Sequence, residues 1–118
     1  MALFLCDLHM HSALSPCAEN DMTPGNMVSM AFLNGLEVIA VTDHCSSRNC
    51  KAAIACSEAL RAEQGRAPLV IPGMEVEVAE GFHVLALFPD CETALAFEEF
   101  FTARRPKIKN RVDIFGTQ

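Results

Sequence analysis

The 118-residue chain has no apolar run near the length of about 18 residues that a membrane-spanning helix needs, so we do not expect an integral membrane protein. Its N-terminus lacks the basic segment and the small-residue cleavage site of a signal peptide, and its six cysteines form no C-x-x-C pair. A disulfide scaffold is therefore not expected, and the cysteines within apolar segments favour the reducing cytoplasm.

Positive charge is scarce over most of the chain. Residues 1–103 contain 4 basic and 14 acidic residues, whereas five basic side chains crowd the segment near the C-terminus: Arg104, Arg105, Lys107, Lys109 and Arg111. An acidic body repels a polyanion, so the composition argues against a general nucleic-acid binder. We interpret residues 104–118 as a solvated basic linker or tail and residues 1–103 as the folded body.

The apolar pattern predicts one α/β domain with the element order β-α-β-α-β-β-α. With 51% hydrophobic and 20% charged residues, the chain can bury a core and is not disordered. Helices of crossover length between buried strands imply a mainly parallel sheet with helices outside it. The predicted strands are Leu3–Leu8, Val38–Val41, one that starts at Leu69–Ile71, and Phe82–Phe88; the predicted helices begin at Thr23-Pro24, near Asn49 and after Asp90.

All four histidines lie in or next to a strand signal. His9 and His11 follow Leu3–Leu8, and their i, i+2 spacing sends both side chains to one side of an extended strand. His44 ends the Val38–Val41 strand in the same way. Because the carboxyl ends of parallel strands form one rim, we expect these imidazoles to lie close together.

Glu75 and His83 are predicted to reach the same rim. Glu75 follows Leu69–Ile71 across Pro72-Gly73, where we expect glycine to permit a close turn. His83 lies early in its strand, as expected if that strand returns antiparallel and brings its start to the rim.

A metal site is the prediction that explains this placement. A single histidine in an apolar strand is usually a hydrogen-bonded core or rim residue. Here all four histidines and one carboxylate converge, and none of the histidines lies on a predicted helix or in the tail. Imidazole with carboxylate suits zinc, manganese or iron and disfavours calcium or magnesium alone.

Further candidates for metal ligands, or for groups that orient a ligand, are Asp7, Cys17, Asp21 and Asp43. Asp7 could instead cap a strand end, Cys17 could be a buried small residue, and Asp21 could cap the first helix. Arg48 follows the His44 loop at a helix start, where it is either a phosphate-binding group or simply exposed to solvent.

These motifs together resemble the PHP domain, the polymerase and histidinol phosphatase family. The residues that carry the resemblance are Asp7-Leu8-His9-Met10-His11-Ser12, Ala40-Val41-Thr42-Asp43-His44, Pro72-Gly73-Met74-Glu75-Val76 and then His83. The resemblance implies a distorted (β/α)7 barrel with two or three divalent ions at the carboxyl ends of its strands. It also implies that the metal ligands are His9, His11, His44, Glu75 and His83.

Two departures from the family pattern affect these expectations. Many members have Ser-Asp-Gly where this chain reads Ser15-Pro16-Cys17, so either Cys17 or Asp21 replaces that aspartate or the position is empty. The barrel also needs about twice this length, so residues 1–103 resemble its N-terminal half. We expect either a piece of a longer protein or a homodimer that covers the open sheet edge.

The resemblance implies a phosphoesterase in which a metal-activated water hydrolyses a small phosphorylated substrate. His9, His11, His44 and Glu75 would then be the catalytic metal ligands. One alternative is a metal-binding but catalytically silent half-barrel that serves assembly or regulation. Another is an amidohydrolase acting on C–N bonds, a family that shares the His-x-His start.

Overall fold

The computed structural model describes residues 1–105, and in this part of the chain the order of elements is the predicted one. The proposed tail from Pro106 onward lies outside the described residues. The elements are β1 (Cys6–Met10), α1 (Pro24–Leu33), β2 (Val38–Val41), α2 (Cys50–Gln64), β3 (Leu69–Glu77), β4 (His83–Leu87) and α3 (Cys91–Arg104).

The four strands form one sheet in the order β1-β2-β3-β4. β1, β2 and β3 run parallel, and α1 and α2 are the crossovers between them. β4 returns antiparallel to β3, which confirms the direction predicted for the strand that carries His83. The molecule is therefore a mixed α/β fold with a curved sheet.

Local sequence signals define the helix ends. The Thr23 hydroxyl accepts a hydrogen bond from the backbone N–H of Asn26, and the Asp90 carboxylate accepts one from the N–H of Thr93. Gly65 follows α2 in the left-handed region, with φ of 78°. The core lies between the sheet and the first two helices, and its fully buried residues include Met27, Val28, Ile39, Val41, Cys50 and Ala53.

Two strand predictions were wrong. β1 begins at Cys6 rather than Leu3, and it is largely exposed rather than buried, because it is an edge strand of the described sheet. β3 runs without interruption through Pro72 and Gly73, where a turn was expected. Up to Pro72 it pairs with β2, and from Gly73 onward it pairs with β4.

Gly73 is needed for space rather than for a turn. A Cβ atom at this position would lie 2.9 Å from Cγ2 of Thr42 and 3.0 Å from both the carbonyl oxygen of Ala86 and Cδ2 of Leu87. The absence of a side chain thus allows β4 to pack closely at the point where β3 changes partners.

We expect Gly73→Ala to lower the free energy of unfolding by about 1–3 kcal/mol, because overpacking forces neighbouring groups apart. Urea unfolding followed by circular dichroism measures this change. Gly25→Ala is the matched control, since a Cβ there meets only Sγ of Cys56 at 3.8 Å. Equal stability of the two variants would contradict this interpretation of Gly73.

Apolar side chains remain exposed at the two edges of the described sheet. Leu8 on β1 and Leu85 and Leu87 on β4 are each more than a third exposed. Association of two copies over these edges stays a prediction. Among residues 1–105, no helix has the length and hydropathy to cross a membrane.

Candidate metal centre

The carboxylate of Glu75 lies at the centre of a cluster of imidazoles. Its Oε2 lies 2.9 Å from Nε2 of His11, 3.2 Å from Nε2 of His9 and 3.6 Å from Nε2 of His44. Its Oε1 lies 2.8 Å from Nδ1 of His83. All five residues predicted to meet at one rim therefore do so.

The sheet register explains this convergence. His44 lies just beyond β2 and forms an isolated parallel bridge with Glu75 on β3. His83 is the first residue of β4 and pairs with Glu77, so its side chain lies on the same face as Glu75. His9 and His11 lie at the end of β1, where their Nε2 atoms are 3.1 Å apart.

A buried carboxylate holds the loop behind the imidazoles. Asp43 accepts hydrogen bonds from the backbone N–H of Ser12 at 2.6 Å, from the Ser12 hydroxyl at 2.5 Å and from the Ser15 hydroxyl at 2.7 Å. All three residues are at most 1% exposed. Asp43 therefore orients the site rather than joining the cluster around Glu75. Sequence reasoning missed Ser15, because two serines in a loop carry no periodic signal.

Ser15 determines which nitrogen of His11 carries the proton. Because its hydroxyl donates to Asp43, the Ser15 oxygen can only accept from its other neighbours. It accepts from the backbone N–H of His44 at 3.1 Å and from Nδ1 of His11 at 3.2 Å. Nδ1 of His11 is thus the protonated nitrogen, and Nε2 presents a lone pair to the cluster.

This arrangement fits a bound cation. The lone pair on Nε2 of His11 faces Oε2 of Glu75 at 2.9 Å and Nε2 of His9 at 3.1 Å. Electron pairs at such distances repel unless a proton or a metal ion lies between them. The residues present thus match the donor set that zinc, manganese and iron take in proteins.

The pKa values of two groups are shifted in the metal-free chain. Burial lowers the pKa of His11, and the nearby His44 ring adds to that shift. Burial alone would raise the pKa of Glu75, but hydrogen bonds with His9 and His83, together with the nearby His44 and His11 rings, outweigh it and lower that pKa. Both shifts favour the unprotonated forms, which are the forms that bind metal.

We expect the metal-free chain to lose stability as the pH falls. Below 6.5, the ordinary pKa of histidine, the unfolded chain protonates His11 more readily than the folded chain does. Below 4.5 the same holds for Glu75, since its folded pKa is also lowered. Urea unfolding in chelator at a series of pH values measures the slope. His11→Asn should reduce the slope in the upper range, and stability that rises on acidification would contradict the assignment.

Among residues 1–105, three sets of side chains are compact enough to hold one ion each. They are His9 with His11 and Glu75; His44 with Glu75 and His83; and His11 with Cys17 and His44. In each set the ligand atoms lie within 4.8 Å of one another. His11, His44 and Glu75 each belong to two sets. The carboxylate of Glu75 has two oxygens and could bridge two ions, whereas His11 has only Nε2 free, so the two sets that contain His11 are alternatives.

Three further candidates from the sequence, Asp7, Cys17 and Asp21, lie outside the cluster around Glu75. The Asp7 carboxylate accepts a hydrogen bond from the backbone N–H of His9 at 3.1 Å, as expected if Asp7 caps the end of the strand. Cys17 is exposed, so the buried interpretation was wrong. Asp21 is exposed and belongs to none of the three sets, and Thr23 rather than Asp21 caps α1.

Arg48 is largely exposed, with its Nε 3.7 Å from Oε1 of Glu98 on α3. A role for Arg48 in phosphate binding stays a prediction. Glu98 was not predicted as a site residue. It is buried and accepts from the backbone N–H of Ser47 at 2.8 Å and from its hydroxyl at 2.6 Å, so α3 fixes the loop after His44.

Comparison with known proteins identifies the family. A proposed metal-dependent phosphoesterase from Bifidobacterium adolescentis is 29% identical, with a TM-score of 0.54 over 73% of this chain and 27% of that one. An amidohydrolase from Chromobacterium violaceum, solved with sulfate and without metal, is 26% identical, with a TM-score of 0.59 over 80% of this chain and 32% of that one. The chain thus spans about a third or less of these proteins. No curated protein matches it. The family model of the PHP domain matches residues 7–108, which is most of the sequence, and the chain accordingly belongs to the PHP domain family.

Proposed function

We propose that this chain contributes the metal-binding half-site of a hydrolase that cleaves phosphate esters of small substrates. The observation that carries the proposal is the Glu75 carboxylate, which has imidazole nitrogens of four histidines within 3.6 Å. The similarity to a proposed metal-dependent phosphoesterase supports the choice of reaction. The proposed ligands are His9, His11, His44, Glu75 and His83.

Divalent ions bound here would lower the pKa of a bound water, which would then serve as the nucleophile. They would also supply positive charge that neutralises the phosphoryl oxygens. The protein's own contribution is to hold unprotonated donors in place. Ser15 keeps the proton of His11 on Nδ1, and Asp43 fixes Ser15. Glu75, with a side chain only 5% exposed, presents both carboxylate oxygens to the imidazoles.

The scarcity of basic side chains supports a role for metal ions in neutralising phosphate. Residues 1–103 contain only 4 lysines and arginines against 14 acidic residues, so little protein charge is available to attract a phosphoryl group. The same balance disfavours a long polyanionic substrate. A small phosphorylated molecule is therefore the substrate class that we propose.

Cleavage of a C–N bond is the second candidate, and the similarity to a protein described as an amidohydrolase favours it. The two reactions differ in the atom attacked, phosphorus or an amide carbon, while the proposed ligands are the same. A silent metal-binding half-barrel is the third candidate.

The test compares the full chain, stripped of metal and then loaded with zinc or manganese, on phosphate monoesters, phosphate diesters and a cyclic amide. Our proposal expects phosphate ester hydrolysis that chelation abolishes and metal restores. His44→Ala should remove this activity while the circular dichroism spectrum stays unchanged. Cys6→Ser, on the same sheet but outside the cluster, should retain it.

Cleavage of the cyclic amide alone would replace the proposal by the amidohydrolase alternative. Metal binding without hydrolysis of any substrate, at any metal, would contradict an enzymatic role for this chain and leave the silent module.

A further inference from the structure

A hollow of about 330 Å³ lies at the amino ends of β1, β2 and β3, opposite to the strand ends that carry the imidazoles. Such a volume is within the range of small-molecule sites. The described residues that line it include none of the five proposed metal ligands, so the two sites are separate. We call it the amino-end hollow; it lies between Phe4, Phe32, Leu36, Leu69 and Arg66.

The surface of the amino-end hollow is largely apolar. Phe4 precedes β1 and Leu69 begins β3, and both side chains are more than half exposed. Gly35, just after α1, adds no side chain, and a Cβ atom there would meet nothing within 4 Å. The hollow is therefore open apolar surface that the hydrocarbon part of a ligand would remove from water.

Backbone hydrogen bonds hold the walls of the hollow. The N–H of Leu5 donates to Oε2 of Glu37 at 3.0 Å, and the N–H of Glu37 donates to the carbonyl of Leu5 at 2.8 Å. The N–H of Leu69 donates to the carbonyl of Glu37 at 2.8 Å. The segments that lead into the three strands are thus joined before a ligand arrives, which lowers the entropy cost of binding.

Two guanidinium groups give the hollow positive charge. Residues 1–103 contain only 4 basic residues, and two of them, Arg61 and Arg66, line this one surface together with a single acid, Glu37. Arg66 lies over the ring of Phe32, 5.2 Å from its centroid, and Arg61 donates to the carbonyl of Ala67 at 3.0 Å. These contacts hold both groups in place, and each guanidinium has five N–H donors to offer.

An arginine near a helix end also has a purely structural role. The carboxyl end of a helix has partial negative charge, which Arg61 in the last turn of α2 offsets. That role predicts an effect of Arg61 on stability and none on the binding of an anion. The two roles can therefore be separated by experiment.

We propose that the amino-end hollow binds a small carboxylate with an aliphatic body. Charge complementarity favours this occupant, because the guanidinium groups of Arg61 and Arg66 attract an anion to an apolar surface on an otherwise acidic body. The hydrocarbon covers the apolar lining, and the carboxylate accepts hydrogen bonds from the two guanidinium groups. This inference is independent of the proposed function, since it uses none of the proposed ligands.

The probe is octanoate, and octanamide is the matched neutral probe with the same chain. Both are titrated into the full-length, metal-free chain in chelator, so that the carboxylate cannot bind through a metal ion. Calorimetry should give one octanoate per chain, bound at least about tenfold more tightly than octanamide, because the charged head group is then hydrogen-bonded to arginine. In carbon-13 methyl spectra, octanoate should shift Leu36, Val38 and Leu69, whereas Leu85 and Leu87 on β4 should not move.

The double variant Arg61→Gln with Arg66→Gln should lower the affinity for octanoate at least about tenfold and leave that for octanamide unchanged. Lys51→Gln is the control, because Lys51 is an exposed basic residue of α2 that does not line the hollow. It should bind octanoate as wild type does. Urea unfolding of each variant measures the structural role of the arginines separately.

Equal affinity of wild type for octanoate and octanamide would overturn the proposal, and so would the absence of binding. Methyl shifts confined to β4 would place the ligand elsewhere and also overturn it. A double variant that is less stable yet binds octanoate as wild type does would leave the arginines only their structural role. None of these results bears on metal-dependent hydrolysis, which is measured with loaded protein.

Discussion

Glu75→Gln is expected to lower metal-dependent hydrolysis more than about a hundredfold and to release bound metal. Glu75 is common to two of the three candidate ligand sets, so one substitution weakens both of them. The amide keeps the shape of the side chain but removes its negative charge, and its NH₂ group cannot bind a cation. The imidazoles would then have to hold two positive ions without an anionic ligand.

The measurements are metal content per chain and the hydrolysis rate, each at saturating zinc and manganese. Glu77→Gln is the matched control, because Glu77 lies two residues further along β3, is exposed and belongs to none of the ligand sets. Glu77→Gln should behave as wild type. A Glu75→Gln variant with full metal content would show that the carboxylate is not a ligand.

Asp43→Asn is expected to cost about 3 kcal/mol of unfolding free energy even without metal. The carboxylate accepts three hydrogen bonds, from the backbone N–H and hydroxyl of Ser12 and from the hydroxyl of Ser15. An amide at this buried position turns its NH₂ group toward one or more of these donors, which leaves polar atoms unsatisfied. The loop between β1 and α1 should then lose its anchor.

Circular dichroism during urea unfolding in chelator measures this effect without any contribution from metal. Asp21→Asn is the control, since Asp21 lies in the same connection but is exposed. Equal stability of the two variants would contradict the anchoring role of Asp43. In metal-loaded protein, Asp43→Asn should also weaken metal binding, because Ser15 no longer has a fixed acceptor and His11 is free to change tautomer.

The element order and the convergence of the five candidate ligands were predictable because their signals are local. The spacing of His9 and His11, the β-branched strand before His44 and the reversal before His83 each need only a few neighbouring residues to interpret. The shared rim then follows from a general property of parallel strands.

The features that sequence reasoning did not predict have a different origin, because each depends on contacts between distant segments. Pro72-Gly73 resembles a turn in isolation, yet pairing of Pro72 with β2 and of Gly73 with β4 keeps it extended. The Ser15 hydroxyl is oriented by Asp43, which lies 28 residues away. Glu98 reaches Ser47 over 51 residues. Hydrophobic periodicity contains no information about such pairs.

The sequence separations between Glu75 and its histidine neighbours have a consequence for how the chain folds. Glu75 and His83 are eight residues apart and meet within one hairpin, whereas His9 is 66 residues from Glu75. Forming the hairpin costs little loop-closure entropy, while docking β1 costs more. An ion bound by both His9 and Glu75 would cross-link β1, the exposed edge strand, to β3 in the middle of the sheet. Loading with metal should therefore slow the detachment of β1 as well as stabilise the folded chain.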